Sequence, residues 1–193
     1  DGCADMSGNV LLFHLNDVSG LLLDSSGQGN DGTPAGGITY GASGKFNTAV
    51  SFDGTDDRIT VAHAPSLDLD TASTVEFWFR TSSDFSGGRG AILGKGAAWQ
   101  VWVGKDNKLH YAFRKNGAWN DHASLSTTAA VNDGNWHHFA AVDNGTLVTV
   151  YLDGAAVDTE NVSGSIETNT DDLFAGSGDT PVGEVRIITG VDG

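Results

Sequence analysis

The chain has 193 residues, ample for one domain with a proper hydrophobic core, and 27 of them are glycine, about double the usual share of ~7%. Ten Lys and Arg stand against 25 Asp and Glu, a net charge of −15 that repels phosphate backbones and anionic membrane surfaces. No stretch approaches the ~18 consecutive apolar residues of a membrane span, so neither a nucleic-acid partner nor membrane insertion is expected.

Cys3 is the single cysteine, which excludes an internal disulfide framework and a Cys-based zinc site. Asp1 opens the chain without the apolar core of a signal peptide, so any targeting segment is expected to have been removed or never to have existed.

The predicted elements are strands. Apolar residues alternate with polar ones instead of recurring at three- and four-residue spacing, so no helix beyond a turn or two is expected. In chain order the strands cover 10–15, 49–52, 59–62, 74–80, 99–103, 109–113, 137–142, 147–152 and 185–188. Between them stand Asp53-Gly54, Asn116-Gly117, Asp133-Gly134, Asn144-Gly145 and Asp153-Gly154, pairs that tolerate the positive φ of tight hairpin turns. Strands of about five residues at roughly 8–12-residue spacing predict one antiparallel sandwich or barrel.

Alternation also sorts the faces of such a sandwich. Val75, Phe77 and Phe79 fall on one side of their strand, and Glu76, Trp78 and Arg80 on the other. Val101, Val103, Tyr111 and Phe113 fit the core. Gln100, Trp102, His110 and Arg114 then share an outer face, joined by Trp78 and Arg80 if that strand lies in the same sheet.

Six stretches carry a family resemblance. Leu23 to Thr33 resembles a D-x-SG-x-GN-x-G segment, and Gly44 to Gly54 a G-K-(F/V)-x-x-A-(L/V)-x-F-D-G run. Val75 to Arg80 is similar to a T-(I/V)-x-x-W-(I/V/F) strand, and Asp133 to Ala140 to D-G-x-W-H-H-(I/V/F)-A. Val150 to Gly154 resembles the strand end (L/V)-Y-(V/I/L)-D-G, and Gly183 to Ile187 the closing strand (I/G)-(D/E)-E-V-R-I. In this order they resemble the laminin G-like domains of the concanavalin A-like lectin and glucanase group. The resemblance implies an all-β, antiparallel, two-sheet jelly-roll sandwich, a single domain over 1–193 with 1–8 as a loose N-terminal extension.

The loop from Asp24 to Thr33 is the metal candidate. A hard cation takes six to eight oxygens, and Asp24, Asn30 and Asp31 supply side-chain oxygens while glycines let carbonyls converge. The resemblance pairs this loop with the acidic residue of the last strand, which implies a structural Ca²⁺ on Asp24, Asn30 and Glu184 that joins the two chain ends. Asn169, Asp171 and Asp172 form a second acidic stretch that reads equally well as a hairpin loop. His137 and His138 are adjacent in a strand and point to opposite faces, so they cannot share one ion. The resemblance makes them a fold motif in which Trp136 and one histidine pack at a strand start.

Catalysis is not expected. A retaining glycosidase needs two carboxyls about 5–5.5 Å apart, and the compact E-x-D-x-x-E strand motif of laminarinase-like relatives is absent. The clustered Arg, Gln-x-His and Tyr pattern of lyases and the Asp boxes of sialidases are absent too.

Sugars bind by stacking CH groups on indole or phenol rings while polar groups read the hydroxyls. Trp102, Trp119, His110 and Arg114 are the candidates; Trp99 and, through the resemblance, Trp78 fit the core instead. The expected function is a noncatalytic, calcium-stabilised module that binds a glycan or polysaccharide within a larger secreted or cell-surface protein of bacterial type. The alternative is a structural or adhesion domain with a cell-surface protein as partner, and behind it a glycoside hydrolase or polysaccharide lyase.

Overall fold

In the computed structural model, which describes residues 8–69, 72–115, 117–119, 125–161, 165–176 and, as backbone alone, 185–190, alternation becomes register in two sheets of eight strands. The first 103 residues form β1 (Asn9–Phe13), β2 (Gly32–Ala35), β3 (Thr39–Ser43), β4 (Thr48–Ser51), β5 (Arg58–Val61), β6 (Ser73–Arg80), β7 (Gly90–Lys95) and β8 (Trp99–Val103). The second half forms β9 (Leu109–Lys115), β10 (Ala118–Trp119), β11 (Leu125–Ser126), β12 (Trp136–Asp143), β13 (Leu147–Leu152), β14 (Ala155–Asn161), β15 (Leu173–Ala175) and β16 (Val185–Gly190). A 3-10 turn at Pro65–Leu67 is the one helical element among the described residues.

The first sheet runs β14-β13-β12-β6-β16-β4-β3, with β1 also paired to β16. The second runs β10-β9-β8-β7-β15-β5-β2, with β11 also paired to β9. Every pairing among the described residues is antiparallel, and the molecule is the expected all-β jelly-roll sandwich.

Packing follows the period of two. On β6, Val75, Phe77 and Phe79 are at most 1% exposed, while Thr74, Glu76, Trp78 and Arg80 between them are half-buried on the outer side. Val101, Val103, Tyr111 and Phe113 line the inner side of the second sheet as expected. Phe77 stacks on Phe139 at 5.1 Å within the first sheet, and Tyr111 reaches Phe139 from the second sheet at 6.5 Å. These ring contacts join the two inner faces, and each buried aromatic side chain contributes about 1.5–3 kcal/mol through area removed from water.

Tight turns fix the register. Asp153 (φ 51°) and Gly154 (φ 81°) both take positive φ between β13 and β14, the backbone that a two-residue hairpin demands.

Two sequence expectations change here. The strand of Trp78 and Arg80 lies in the first sheet, whereas Gln100, Trp102, His110 and Arg114 lie in the second, so the two groups occupy opposite outer faces. Trp78 is therefore not a core residue: its neighbours Phe77 and Phe79 fill the core, and the pleat turns the indole outward. Trp99, 1% exposed, does belong to the core.

Several strands carried no clear signal. β7 has a bulge between Ala91 and Leu93 that buries Ile92 and Leu93 in succession, which breaks the alternation. β14 is an edge strand, exposed or half-buried along its length, since no neighbouring strand covers its outer side.

Candidate functional site

Register brings the four candidate binding residues onto one face. On β9, His110, Ala112 and Arg114 share a parity opposite to buried Leu109, Tyr111 and Phe113. Trp102 on β8 is the direct partner of His110, and Trp119 on β10 is the direct partner of Arg114. Directly opposed residues of antiparallel strands project to the same side. The four form two pairs, separated by four positions along β9, about 13 Å at the usual strand rise. Gln100 and Ala112 lie opposite each other in the row between them.

The first pair is tightly held. The Trp102 and His110 rings stack with centroids 5.4 Å apart and planes 11° from parallel. The Arg89 guanidinium lies over Trp102 at 5.5 Å, and His110 Nε2 meets Asp106 Oδ1 at 2.8 Å. Burial works against the Asp106 charge, but hydrogen bonds from His110 and the Lys108 amide outweigh it and lower its pKa. Gly104 makes room for this pair, because a Cβ there would stand 2.5 Å from His110 Nε2.

The second pair is more open. Trp119 is 42% exposed, one of the few large apolar side chains in water. Arg114 donates from Nη2 to the Gly117 carbonyl at 2.9 Å and pairs through Nε with Glu167 at 3.4 Å. The Gly117 amide also donates to Glu167, so one carboxylate braces both the turn and the guanidinium. Arg89, Asp106 and Glu167 support the four candidates and escaped the sequence reading, since all three lie in turns or loops where periodicity carries no signal.

The metal candidates have a different geometry. Asp24 Oδ1 accepts from the amides of Leu12 and Ser26, and Oδ2 from the Asn30 amide and the Ser26 hydroxyl, all at 2.8–2.9 Å. Four donors match the roughly four acceptor positions of a carboxylate, so a cation on Asp24 would displace some of them. Asn30, 6% exposed, donates from Nδ2 to the Val10 carbonyl and the Ser66 hydroxyl. Glu184 lies outside the described residues. Desolvation raises the Asp24 pKa, but the four hydrogen bonds prevail and the net shift is downward.

The other motifs act as braces. Lys95, fully buried, donates to the Asn169 carbonyl at 2.6 Å and its Oδ1 at 3.1 Å, and pairs with Asp68 at 2.8 Å. Asp171 accepts from the Ala97 amide and Asp172 from the His63 amide, so the second acidic stretch ties a loop around a buried ammonium. His137 is gripped between Asp153 at 2.8 Å and Asp133 at 3.1 Å, while His138 points to the other face, 3.4 Å from Glu76. Asp53, Asp56 and Asp57 bring carboxylate oxygens within 4.8 Å of one another. Asp57 accepts the Asp53 amide and Asp53 the Thr55 amide, the hydrogen bonds of a braced turn.

Residues 53–190 match the family model described as the concanavalin A-like lectin/glucanases superfamily. A comparison with curated protein sequences found no match. Among solved structures, the binding domain of Paraclostridial Mosquitocidal Protein 1 is similar at a TM-score of 0.79 and 13% identity, covering 95% of this chain and 48% of that one. The binding domain of botulinum neurotoxin DC, solved with rat synaptotagmin II, gives 0.77 and 13%, covering 98% and 49%. A botulinum neurotoxin type C structure, whose cell entry is described as dependent upon interaction with two ganglioside molecules, gives 0.72 and 12%, covering 97% and 48%. The chain spans about half the length of each, and the likeness is one of fold.

Proposed function

The chain belongs to the concanavalin A-like lectin/glucanases superfamily, and from that premise we propose that it is a noncatalytic binding module for a carbohydrate, part of a larger secreted or cell-surface protein. The observation that carries this reading is the placement of Trp102, His110, Arg114 and Trp119 on one outer face. A face with an open indole at one end and a stacked indole about 13 Å away suits an extended glycan better than a single sugar. The neighbouring carboxylates, Asp106 and Glu167, are each held by a basic side chain, which supports binding over hydrolysis. One solved neighbour is described with gangliosides, which carry sugars, and another with a protein receptor.

The adhesion alternative has its own support. Val18, Leu21 and Leu23 are 86%, 48% and 57% exposed within six residues of chain, apolar surface of the kind a protein partner would cover. The calcium site on Asp24, Asn30 and Glu184 is part of the proposal, resting on the family resemblance, with the four donors on Asp24 as its competitors.

A glycan array probed with and without calcium is the test. Glycan binding without turnover supports the module; absence of binding moves the reading to the protein partner, and released product moves it to an enzyme.

A further inference from the structure

β7 ends on a lysine that faces inward. Lys95 is the direct partner of Leu173 on β15 and of Trp99 on β8, and opposed residues project to the same side. Leu173 and Trp99 are each 1% exposed, and Lys95 is fully buried, alone among Lys and Arg of the described residues. Its Nζ has three neighbours: Asp68 Oδ1 at 2.8 Å, the Asn169 carbonyl at 2.6 Å and Asn169 Oδ1 at 3.1 Å. Asp68 Oδ1 is buried too, with the Lys95 ammonium as its partner. The ammonium is thus closed in between a proton acceptor and a carboxamide.

An amine held against a carboxamide, away from water, can displace ammonia from it. The reaction needs a group to move protons and a donor on the carbonyl oxygen, where charge develops. Asp68 supplies the first, and the Asp171 amide donates to Asn169 Oδ1 at 3.0 Å. The loop that carries the carboxamide is fixed in place. Asp171 Oδ2 accepts from the Ala97 amide at 3.3 Å, and Asp172 Oδ1 from the His63 amide at 2.9 Å. Gly96 permits that close approach, since a Cβ there would stand 1.9 Å from Asp171 Oδ2. Such fixed placement replaces a bimolecular encounter by an intramolecular one.

We propose that Lys95 and Asn169 form an isopeptide bond, a modification that crosslinks the end of β7 to the loop before β15. Asp68 takes one proton from Lys95 Nζ. The freed lone pair attacks Asn169 Cγ, and the C=O electron pair moves onto Oδ1. As the carbonyl re-forms, the Cγ–Nδ2 bond breaks and Nδ2 leaves as ammonia, with the proton that Asp68 carried. Asp68 takes the second Nζ proton and passes it to the ammonia, which departs as ammonium. Nothing is oxidised or reduced. The ion pair described above is the folded chain before reaction, and it persists wherever the reaction is blocked. The bond spans 74 residues and restricts the unfolded chain as a disulfide would, in a chain with one cysteine.

Intact-mass spectrometry of the purified chain is the test. Wild type should weigh less than its sequence by one ammonia, and protease digestion should release a branched peptide that joins Lys95 to Asn169. Lys95→Met and Asn169→Ala should weigh what their sequences require. Asp68→Ala should slow bond formation about a hundredfold or more, so the freshly purified variant should keep its ammonia. Circular dichroism shows which variants fold, and the wild-type mass decides the matter whatever the variants do. A folded wild-type chain at its full sequence mass overturns the proposal. So does a deficit that maps to Asn144-Gly145, where a backbone succinimide would release the same ammonia. Crosslinking of folded Asp68→Ala at the wild-type rate overturns it as well, because the proton transfer would then not pass through Asp68.

Discussion

Trp102 and His110 face each other across β8 and β9 with rings 5.4 Å apart and nearly parallel, and the Arg89 guanidinium lies over the same indole. Much of the Trp102 surface is thus committed within the protein, whereas Trp119 at the sheet edge is 42% exposed.

The two tryptophans should therefore respond differently to truncation. Trp119→Ala is expected to weaken glycan binding by roughly 1–3 kcal/mol without moving the melting temperature. Trp102→Ala should lower the melting temperature as well, since it removes the stack on His110. Calorimetry and thermal melts on both variants check this; unaltered glycan affinity in both removes the assignment.

Asp24 predicts an acid-sensitive brace. A group whose folded pKa lies below its usual 3.8 contributes stability that is present above that value and lost as pH falls through the folded pKa. Asp24→Ala strands several amide donors and should cost about 1.5–3 kcal/mol at neutral pH, the scale of a hydrogen bond to a charged group. Urea unfolding from pH 7 down to the acid limb should show this gap between wild type and variant narrowing at the lowest pH.

Calcium provides a separate readout at the same loop. A chelator is expected to lower the wild-type melting temperature by several degrees, as for a ligand bound only by the folded chain. Asp24→Ala should abolish that response. A wild-type curve unmoved by chelator would remove the calcium site and leave Asp24 as a hydrogen-bond centre alone.

His137 predicts the opposite pH trend. Burial lowers its pKa, but hydrogen bonds and charge from Asp153 and Asp133 outweigh burial, and the net shift is upward. Its contribution is fully present below the unfolded value near 6.5 and is lost as pH rises through the folded pKa. The stability difference between wild type and His137→Gln should therefore shrink from pH 6 towards pH 8. A difference independent of pH would show that the imidazole acts by packing alone.

Lys95 and Asp68 predict non-additivity. Asp68→Asn leaves a buried ammonium facing only neutral oxygens, those of Asn169 and of the new side-chain amide, and should cost about 3–5 kcal/mol. Lys95→Met/Asp68→Asn removes both charges and should cost less than Asp68→Asn alone, a result that a double-mutant cycle reads directly. Additive losses would mean that the pair is not coupled.

Strand content and core were legible because a pleat imposes a period of two that any stretch of sequence displays. Val75, Phe77 and Phe79, or Val101 and Val103, announce a buried face without reference to anything distant. Motif order from Leu23 to Ile187 likewise pointed to the family to which the chain belongs. Elements without that period escaped notice, as β7 did through its bulge and β14 through its edge position.

Within single strands, the sequence by itself determined which residues face inward and which outward. It could not say which strands are neighbours, because pairing between distant segments depends on the whole core closing at once. Only the tertiary structure placed Trp78 and Arg80 on one outer face and Trp102 and His110 on the other. Only it turned Asp24 into an acceptor for four donors, a role set by where Leu12 and Asn30 come to lie. Local alternation is written in adjacent residues, whereas a shared face or a filled carboxylate depends on segments that meet only when the sandwich closes.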